Sequence, residues 1–223
     1  DRMNRVMTAG LDQSWRRRAA DRARLKPGDQ ALDICCGTGD IAIELAGRVG
    51  PSGAVTGSDF SRPMLELAAG KARADGISQV EFEWADALEL PYEDNTFDAL
   101  TIGFGARNLA DLPKGLAEMY RVLVPGGRVV ILEITQPIRQ PLATFFGLWF
   151  DRIVPLLGKF AGDSSAYTYL PESVRSFPDA PTLAKRLDEA GFRHVRWTLM
   201  AGSIIAIHSG VKPQAQKDQE PEK

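Results

Sequence analysis

The chain has 223 residues, 27 Lys and Arg against 29 Asp and Glu, a formal charge of −2 and 44% hydrophobic residues. That length suits one α/β domain with a full core, and the near-neutral balance gives no reason to expect a nucleic-acid partner. The two cysteines, Cys35 and Cys36, are adjacent, and the two histidines, His194 and His208, stand apart. Neighbours in a strand point to opposite faces, so neither a disulfide nor a metal-ligand set is expected. Reduced thiols and no visible leader pattern predict a cytoplasmic protein.

Taken in chain order, apolar runs predict strands at 30–36, 54–59, 80–84, 97–103 and 128–134. Helical periodicity predicts helices at 39–48, 62–75 and 111–123 between them. Ser61 and Asp111 are placed to cap the last two, with Pro63 and Pro113 in their first turns. Pro125-Gly126-Gly127 is a turn that launches the fifth strand. A helix over Thr182–Ala190 closes at Gly191, and strands at 193–199 and 203–209 join through Ala201-Gly202 as a hairpin. The alternation predicts an α/β fold: a mostly parallel seven-stranded sheet with an antiparallel C-terminal hairpin strand. One domain should span 1–211, and the polar stretch 212–223 should be disordered.

The first strand, Leu32-Asp33-Ile34-Cys35-Cys36, runs into Gly37-Thr38-Gly39-Asp40 at the start of a helix. Asp59 follows at the tip of the next strand, twenty residues after Gly39. A strand, a Gly-x-Gly turn and an acid at the neighbouring tip make a nucleoside site, with Asp59 accepting the ribose hydroxyls. Gly37 and Gly39 let the backbone approach the ligand. The glycines alone also satisfy a loose dinucleotide pattern. Asp33, however, lies where a carboxylate can face a cationic amino-acid moiety and would repel a pyrophosphate. Asp86-Ala87 ends the third strand, placed to meet an adenine amino group. These signals favour S-adenosylmethionine over NAD and resemble the Rossmann-like class I methyltransferase fold.

Residues 138–160 belong to no strand. Phe145, Phe146, Trp149, Ile153 and Leu156 recur at helical spacing, but Pro141, Asp151, Arg152 and Pro155 interrupt the run too often for a membrane span. The greasy face suits packing on the sheet edge, a tunnel for an apolar substrate under a helical lid (about 138–175), or contact with a membrane surface.

Three further stretches carry a more specific resemblance: Asp1-Arg2-Met3-Asn4-Arg5-Val6-Met7, Gly103-Phe104-Gly105-Ala106-Arg107-Asn108, and Tyr167-Thr168-Tyr169-Leu170-Pro171-Glu172-Ser173. Together with the cofactor motifs they resemble the quinone-biosynthesis C-methyltransferases, the demethylmenaquinone and 2-polyprenyl-methoxybenzoquinol methyltransferase family, over nearly the whole chain. The resemblance implies methyl transfer from S-adenosylmethionine to a ring carbon of a polyprenylated quinol, most simply demethylmenaquinol to menaquinol. Ubiquinone-pathway benzoquinol methylation, or O- or N-methylation of a small molecule on the same fold, are the alternatives. It also implies cofactor contacts from Thr38, Asp59, Asp86 and Ala87; the apolar 138–160 face is the part that could meet the inner face of a membrane peripherally. Two positions depart from the pattern. Cys35 stands where the wider fold has its first glycine, which narrows the methionine pocket. Gly103 stands where family members often carry Ser, leaving only backbone to bind there.

A ring carbon becomes nucleophilic when a ring hydroxyl is deprotonated, and a cation nearby stabilises the phenolate. Arg107, after the fourth strand, is the candidate cation; a surface ion pair, for instance with Asp111, is the alternative role for it. Asn108 could hold a second ring oxygen or cap the turn, and Tyr169 with Tyr167 could orient or deprotonate the quinol. Asp163 is a weaker candidate base, and His194 is read as ordinary.

Overall fold

The computed structural model describes residues 10–136 and 173–214. Its strands are β1 (Gln30–Ile34), β2 (Ala54–Asp59), β3 (Val80–Trp84), β4 (Phe97–Gly103), β5 (Leu123–Ile134), β6 (Arg193–Met200) and β7 (Ile205–Val211). They form one sheet in the order β3-β2-β1-β4-β5-β7-β6. Pairings from β3 to β5 are parallel. β7 inserts antiparallel between β5 and β6, as the hairpin signal predicts. The helices are α1 (Leu11–Ala23), α2 (Asp40–Val49), α3 (Arg62–Ala74), α4 (Leu112–Val122) and α5 (Ala180–Glu189).

The central strands are buried because helices cover both faces, so they read as apolar runs rather than as an alternation. β1 shows the division. Leu32 and Ile34 join Leu100, Ile102, Leu116, Met119 and Phe192 on one side, and Ala31 joins Trp15, Ala19, Val55 and Val130 on the other. Asp33 shares the face of Ala31, so a carboxylate is enclosed within the second layer. α4 buries Leu116, Met119 and Val122 at helical spacing. Asp111 caps it, accepting from the Lys114 N–H at 2.9 Å.

Three local expectations are corrected and one helix is added. α1 is not foreshadowed by an apolar stripe; it packs on α2, β4 and β5 through Trp15, Ala19, Ala20 and Ala23. β5 begins at Leu123 rather than Arg128, because α4 passes straight into it; Pro125-Gly126-Gly127 occupies a register shift between the Phe97–Leu123 and Ala99–Arg128 pairs. β7 runs from Ile205 to Val211, two residues later than expected, after a 3-10 turn at Ala201–Ser203 in which Gly202 has φ 66. Ser61 is the α3 N-cap residue, but its hydroxyl does not cap. Asp59 Oδ1 instead accepts the Ser61 N–H at 2.8 Å.

At the other end, Lys212 is anchored by bonds from Nζ to Asn95 Oδ1 (2.8 Å) and the Tyr120 carbonyl (2.9 Å), so the expected polar tail starts later than 212. The strand order reverses between β1 and β4, each connected outward on its own side. That reversal opens a crevice beyond their C-terminal ends, where ligands of such sheets bind.

Candidate active site

The loop after β1 is shaped by three left-handed residues, Cys35 (φ 52), Gly37 (φ 55) and Gly39 (φ 80). Cys35 takes a conformation that favours glycine, in agreement with its place in the motif. A Cβ on Gly37 would meet no protein atom within 4 Å, whereas one on Gly39 would stand 2.8 Å from the Phe82 ring. Gly39 thus seats the turn against β3, while the space beside Gly37 stays open. Cys36 N–H donates to the Ser58 carbonyl at 3.0 Å, and Lys71 Nζ reaches the Thr38 carbonyl at 3.3 Å and the Asp40 carboxylate.

Asp33 does not face the crevice. It is 1% exposed, accepts from the Thr101 hydroxyl at 2.5 Å and from the Ala42 N–H at 3.1 Å. The expectation of a carboxylate turned toward a cationic ligand is therefore revised: its oxygens tie β1 to β4 and to the first turn of α2. Burial raises its pKa to about 7 despite these bonds. Burial and the neighbouring Asp59 and Asp33 carboxylates likewise push the Cys35 thiol up to about 12. Cys36 is raised as well, chiefly by burial, and both cysteines are free.

Asp59, at the tip of β2, accepts the Gly37 N–H on Oδ2 and the Ser61 N–H on Oδ1, each at 2.8 Å. It therefore fixes the glycine turn to the start of α3 and keeps acceptor capacity on both oxygens. Phe60, the next residue, is 73% exposed, and Trp84 Nε1 donates to its carbonyl at 2.9 Å with ring centroids 5.9 Å apart. Phe60 was not among the expected site residues. The available signal was a large aromatic directly after a strand-tip acid, with no apolar run to bury it. Asp86 lies exposed beyond β3, its Oδ1 accepting the Leu88 N–H at 2.8 Å, and Ala87 beside it is 7% exposed. An open-sided glycine, an acid with spare lone pairs and an exposed aromatic face fit a nucleoside: room at the backbone, an acceptor for a diol and a surface for a flat base.

The loop after β4 approaches the β1 loop so closely that a Cβ on Gly105 would lie 2.5 Å from Cys35 Cβ. Phe104 takes φ 58, and Ala106–Asn108 form a 3-10 turn with Asn108 N–H donating to the Gly105 carbonyl at 3.0 Å. Arg107 is not paired with Asp111. Its Nη1 donates to Glu133 Oε1 at 2.6 Å and to the Phe104 carbonyl at 2.7 Å, and its backbone N–H reaches Glu133 Oε2 at 3.2 Å. Side-chain exposure is 13% for Arg107 and 1% for Glu133. Burial raises the Glu133 pKa even with Arg107 beside it. The expected role of Arg107 is revised accordingly: its charge is neutralised inside the fold, and what it does here is pin the turn to β5. Asn108 is exposed on that turn.

α1 adds a second element that the motifs do not announce. Arg16 stands 5.4 Å over the Phe104 ring and within 3.6 Å of the Asp40 carboxylate, bridging the β4 loop and the start of α2. The structure thus brings Gly37, Thr38, Gly39, Asp59, Asp86, Ala87, Arg107 and Asn108 to one end of the sheet, with Asp33 beneath them. Tyr169, Tyr167, Asp163 and the 138–160 segment lie outside the described residues, as does most of the expected lid. His194 falls at a bulge in β6 away from this end, with φ 55. Among the described residues no group of three His, Cys, Asp or Glu side chains could hold a metal, and no helix is long and apolar enough to cross a membrane.

Comparison with known proteins places this geometry in a family. Demethylmenaquinone methyltransferase of Thermus thermophilus is 46% identical over 214 residues, covering 96% of each chain. The enzyme of the same name from Bacillus cytotoxicus is 42% identical, covering 97% of this chain and 92% of its own. Among solved structures, a SAM-dependent methyltransferase from Aquifex aeolicus superposes with a TM-score of 0.63 at 23% identity, covering 84% of each chain, which supports the fold. The family model of the ubiE/COQ5 methyltransferase family matches residues 1–212, and the chain belongs to that family.

Proposed function

We propose that this enzyme transfers a methyl group from S-adenosylmethionine to a ring carbon of demethylmenaquinol, giving menaquinol. The observation that carries the reading is identity of 42–46% along almost the full chain to relatives that bear the demethylmenaquinone methyltransferase name. The cofactor, when bound, supplies an activated methyl on a sulfonium centre, so no metal or covalent nucleophile is needed. The chain's task is to bind, align and keep water out.

The crevice residues divide that task. Asp59 accepts the ribose hydroxyls while holding Gly37 and Ser61 in place. Gly37, Thr38 and Gly39 offer backbone to the amino-acid end, Phe60 covers the base, and Asp86 with Ala87 meets its edge. Asp33 acts from below by fixing the strand tips. Arg107 positions the turn that carries Asn108, and Asn108 is placed to hold a ring oxygen of the acceptor. Tyr169 remains the proposed group that orients or deprotonates the quinol. The apolar 138–160 segment suits a polyprenyl tail and peripheral contact with a membrane surface.

The test offers reduced demethylmenaquinone and a benzoquinol analogue side by side with methyl-labelled S-adenosylmethionine. Label on the naphthoquinol ring supports the proposal. Label only on the benzoquinol moves the acceptor to the other branch of the family, and label on neither refutes the reading.

A further inference from the structure

A second concave site lies at the opposite end of the strands from the crevice. Its cavity of about 660 Å³ is lined by Arg22, Arg24, Arg128, Arg196, Trp197 and His194, among others, and no carboxylate lines it. The register places it: Arg128 in β5 lies opposite Ala99 and Val211, and Arg196 pairs with Ser209, two residues from Val211 on the same face. Arg128 shares a strand face with Val130 and Leu132, the face covered by α1, and α1 ends at the cavity with Arg22 and Arg24. Arg22 Nη2 donates to the Thr198 hydroxyl at 2.7 Å. Arg24, Arg128 and Arg196 have no carboxylate partner among the described residues.

Four guanidinium groups converging on one cavity, in a chain of formal charge −2, cannot be a by-product of a basic composition. Like charges held together cost stability unless something compensates. Burial and the neighbouring Arg24 and Arg196 charges lower the Arg128 pKa, so the repulsion is felt inside the cavity. Guanidinium forks match phosphate oxygens in pairs and are less strongly hydrated than ammonium groups, which suits a recessed anion site.

We propose that this cavity binds a phosphate-bearing anion of two or more negative charges, held by Arg24, Arg128 and Arg196 with Arg22 at the rim. The same chemistry is presented by a small soluble phosphate ester and by an anionic phospholipid headgroup. Its place at the far end of the strands favours the soluble ligand, since a bilayer seated there would face away from the crevice.

The experiment titrates pyrophosphate and inorganic phosphate into the full chain by calorimetry in chloride buffer. In parallel, the chain is co-sedimented with phosphatidylcholine vesicles, with and without phosphatidylglycerol. The Arg24→Gln/Arg196→Gln double variant is run beside it. Removing like charges should leave the fold intact, and an unchanged far-ultraviolet spectrum with a melting temperature no lower than that of the wild type verifies this. Because binding to the wild type is measured by itself, a variant that misfolds does not shelter the proposal. Pyrophosphate should saturate one site, bind more tightly than phosphate, and lose about 10-fold or more in affinity per guanidinium removed. Saturable pyrophosphate binding lost in the variant supports a soluble ligand; vesicle binding that needs phosphatidylglycerol and is lost in the variant supports a headgroup. No saturable binding by any probe to the wild type, or binding that a folded double variant retains, overturns the proposal.

Discussion

Replacing Arg107 by Met removes one half of a pair whose other half, Glu133, is 1% exposed. Among the described residues, the variant leaves the carboxylate inside β5 with the backbone N–H groups of Ile134 and of residue 107 as its donors, at 2.8 and 3.2 Å. Breaking a buried pair in this way costs about 3–5 kcal/mol, against a total stability of about 5–15 kcal/mol for a typical domain. At about 2–4 °C per kcal/mol for a chain of this size, the melting temperature should fall by roughly 6–20 °C. Replacing both residues, Arg107→Met with Glu133→Gln, removes the orphaned charge and should recover most of that loss. Urea and thermal unfolding of the wild type, both single variants and the double variant close the cycle. Additive losses, or a single-variant cost below about 1 kcal/mol, would refute the buried pair, since independent sites add and coupled ones do not. Turnover separates positioning from direct chemistry: the double variant should regain activity along with stability. A stable but inactive double variant would return the guanidinium to the acceptor.

Acid should destabilise the protein through His208, which is 1% exposed with Nε2 at 2.9 Å from the Ala180 carbonyl. Burial lowers its pKa to about 4. Between pH 6.5 and 4 the unfolded chain takes a proton that the folded chain refuses, so stability drops as pH falls across that window, by about 3 kcal/mol. His208→Gln should flatten this slope in urea titrations, and an unchanged slope would contradict the assignment. Asp33 has the opposite sign. With its folded pKa at about 7, the folded chain holds a proton that the unfolded chain releases, and stability falls as pH rises from about 4 to 7. Asp33→Asn should therefore improve relative to wild type on going from pH 5 to 8, by a few kcal/mol at most (about 1.4 kcal/mol for each pH step over which the two states differ by one proton); a pH-independent difference would be contrary. Cys35 and Cys36 should resist a disulfide thiol reagent at pH 8 in the native state and react after denaturation, and prompt native labelling would contradict their raised pKa values.

The sheet was legible because each central strand is an apolar run bounded by turn chemistry, and the C-terminal hairpin because Ala201-Gly202 separates two such runs. α1 was not legible. Its sequence, Leu11 to Ala23, carries four arginines, and its buried face is mostly alanine, so no strong apolar stripe marks it. Trp15, Ala19 and Ala23 at spacing four were the available sign. The strand-tip acids were legible as positions, but not their partners. Asp33 and Asp59 both turn toward the protein's own donors, the Thr101 hydroxyl and the Ala42, Gly37 and Ser61 N–H groups, which only the folded chain brings to them. Glu133 was visible as an acid at the end of the apolar run Val129-Val130-Ile131-Leu132, yet its partner lies 26 residues earlier, in the turn after β4, and no local pattern connects them. Cys35 is the instructive departure: the sequence marks it as a residue in a glycine's place, while its left-handed backbone and the closeness of Gly105 follow only from the folded loops.

The most direct measurement is a calorimetric titration of S-adenosylmethionine into the wild type and into Asp59→Ala. The wild type should bind one equivalent saturably, in competition with S-adenosylhomocysteine. Asp59→Ala should weaken binding by about 1.5–3 kcal/mol, roughly 10- to 100-fold, as expected for lost charged hydrogen bonds. No heat from well-folded wild type, or equal affinity in the two proteins, would contradict the placement of the methyl donor at the tips of β1 and β2.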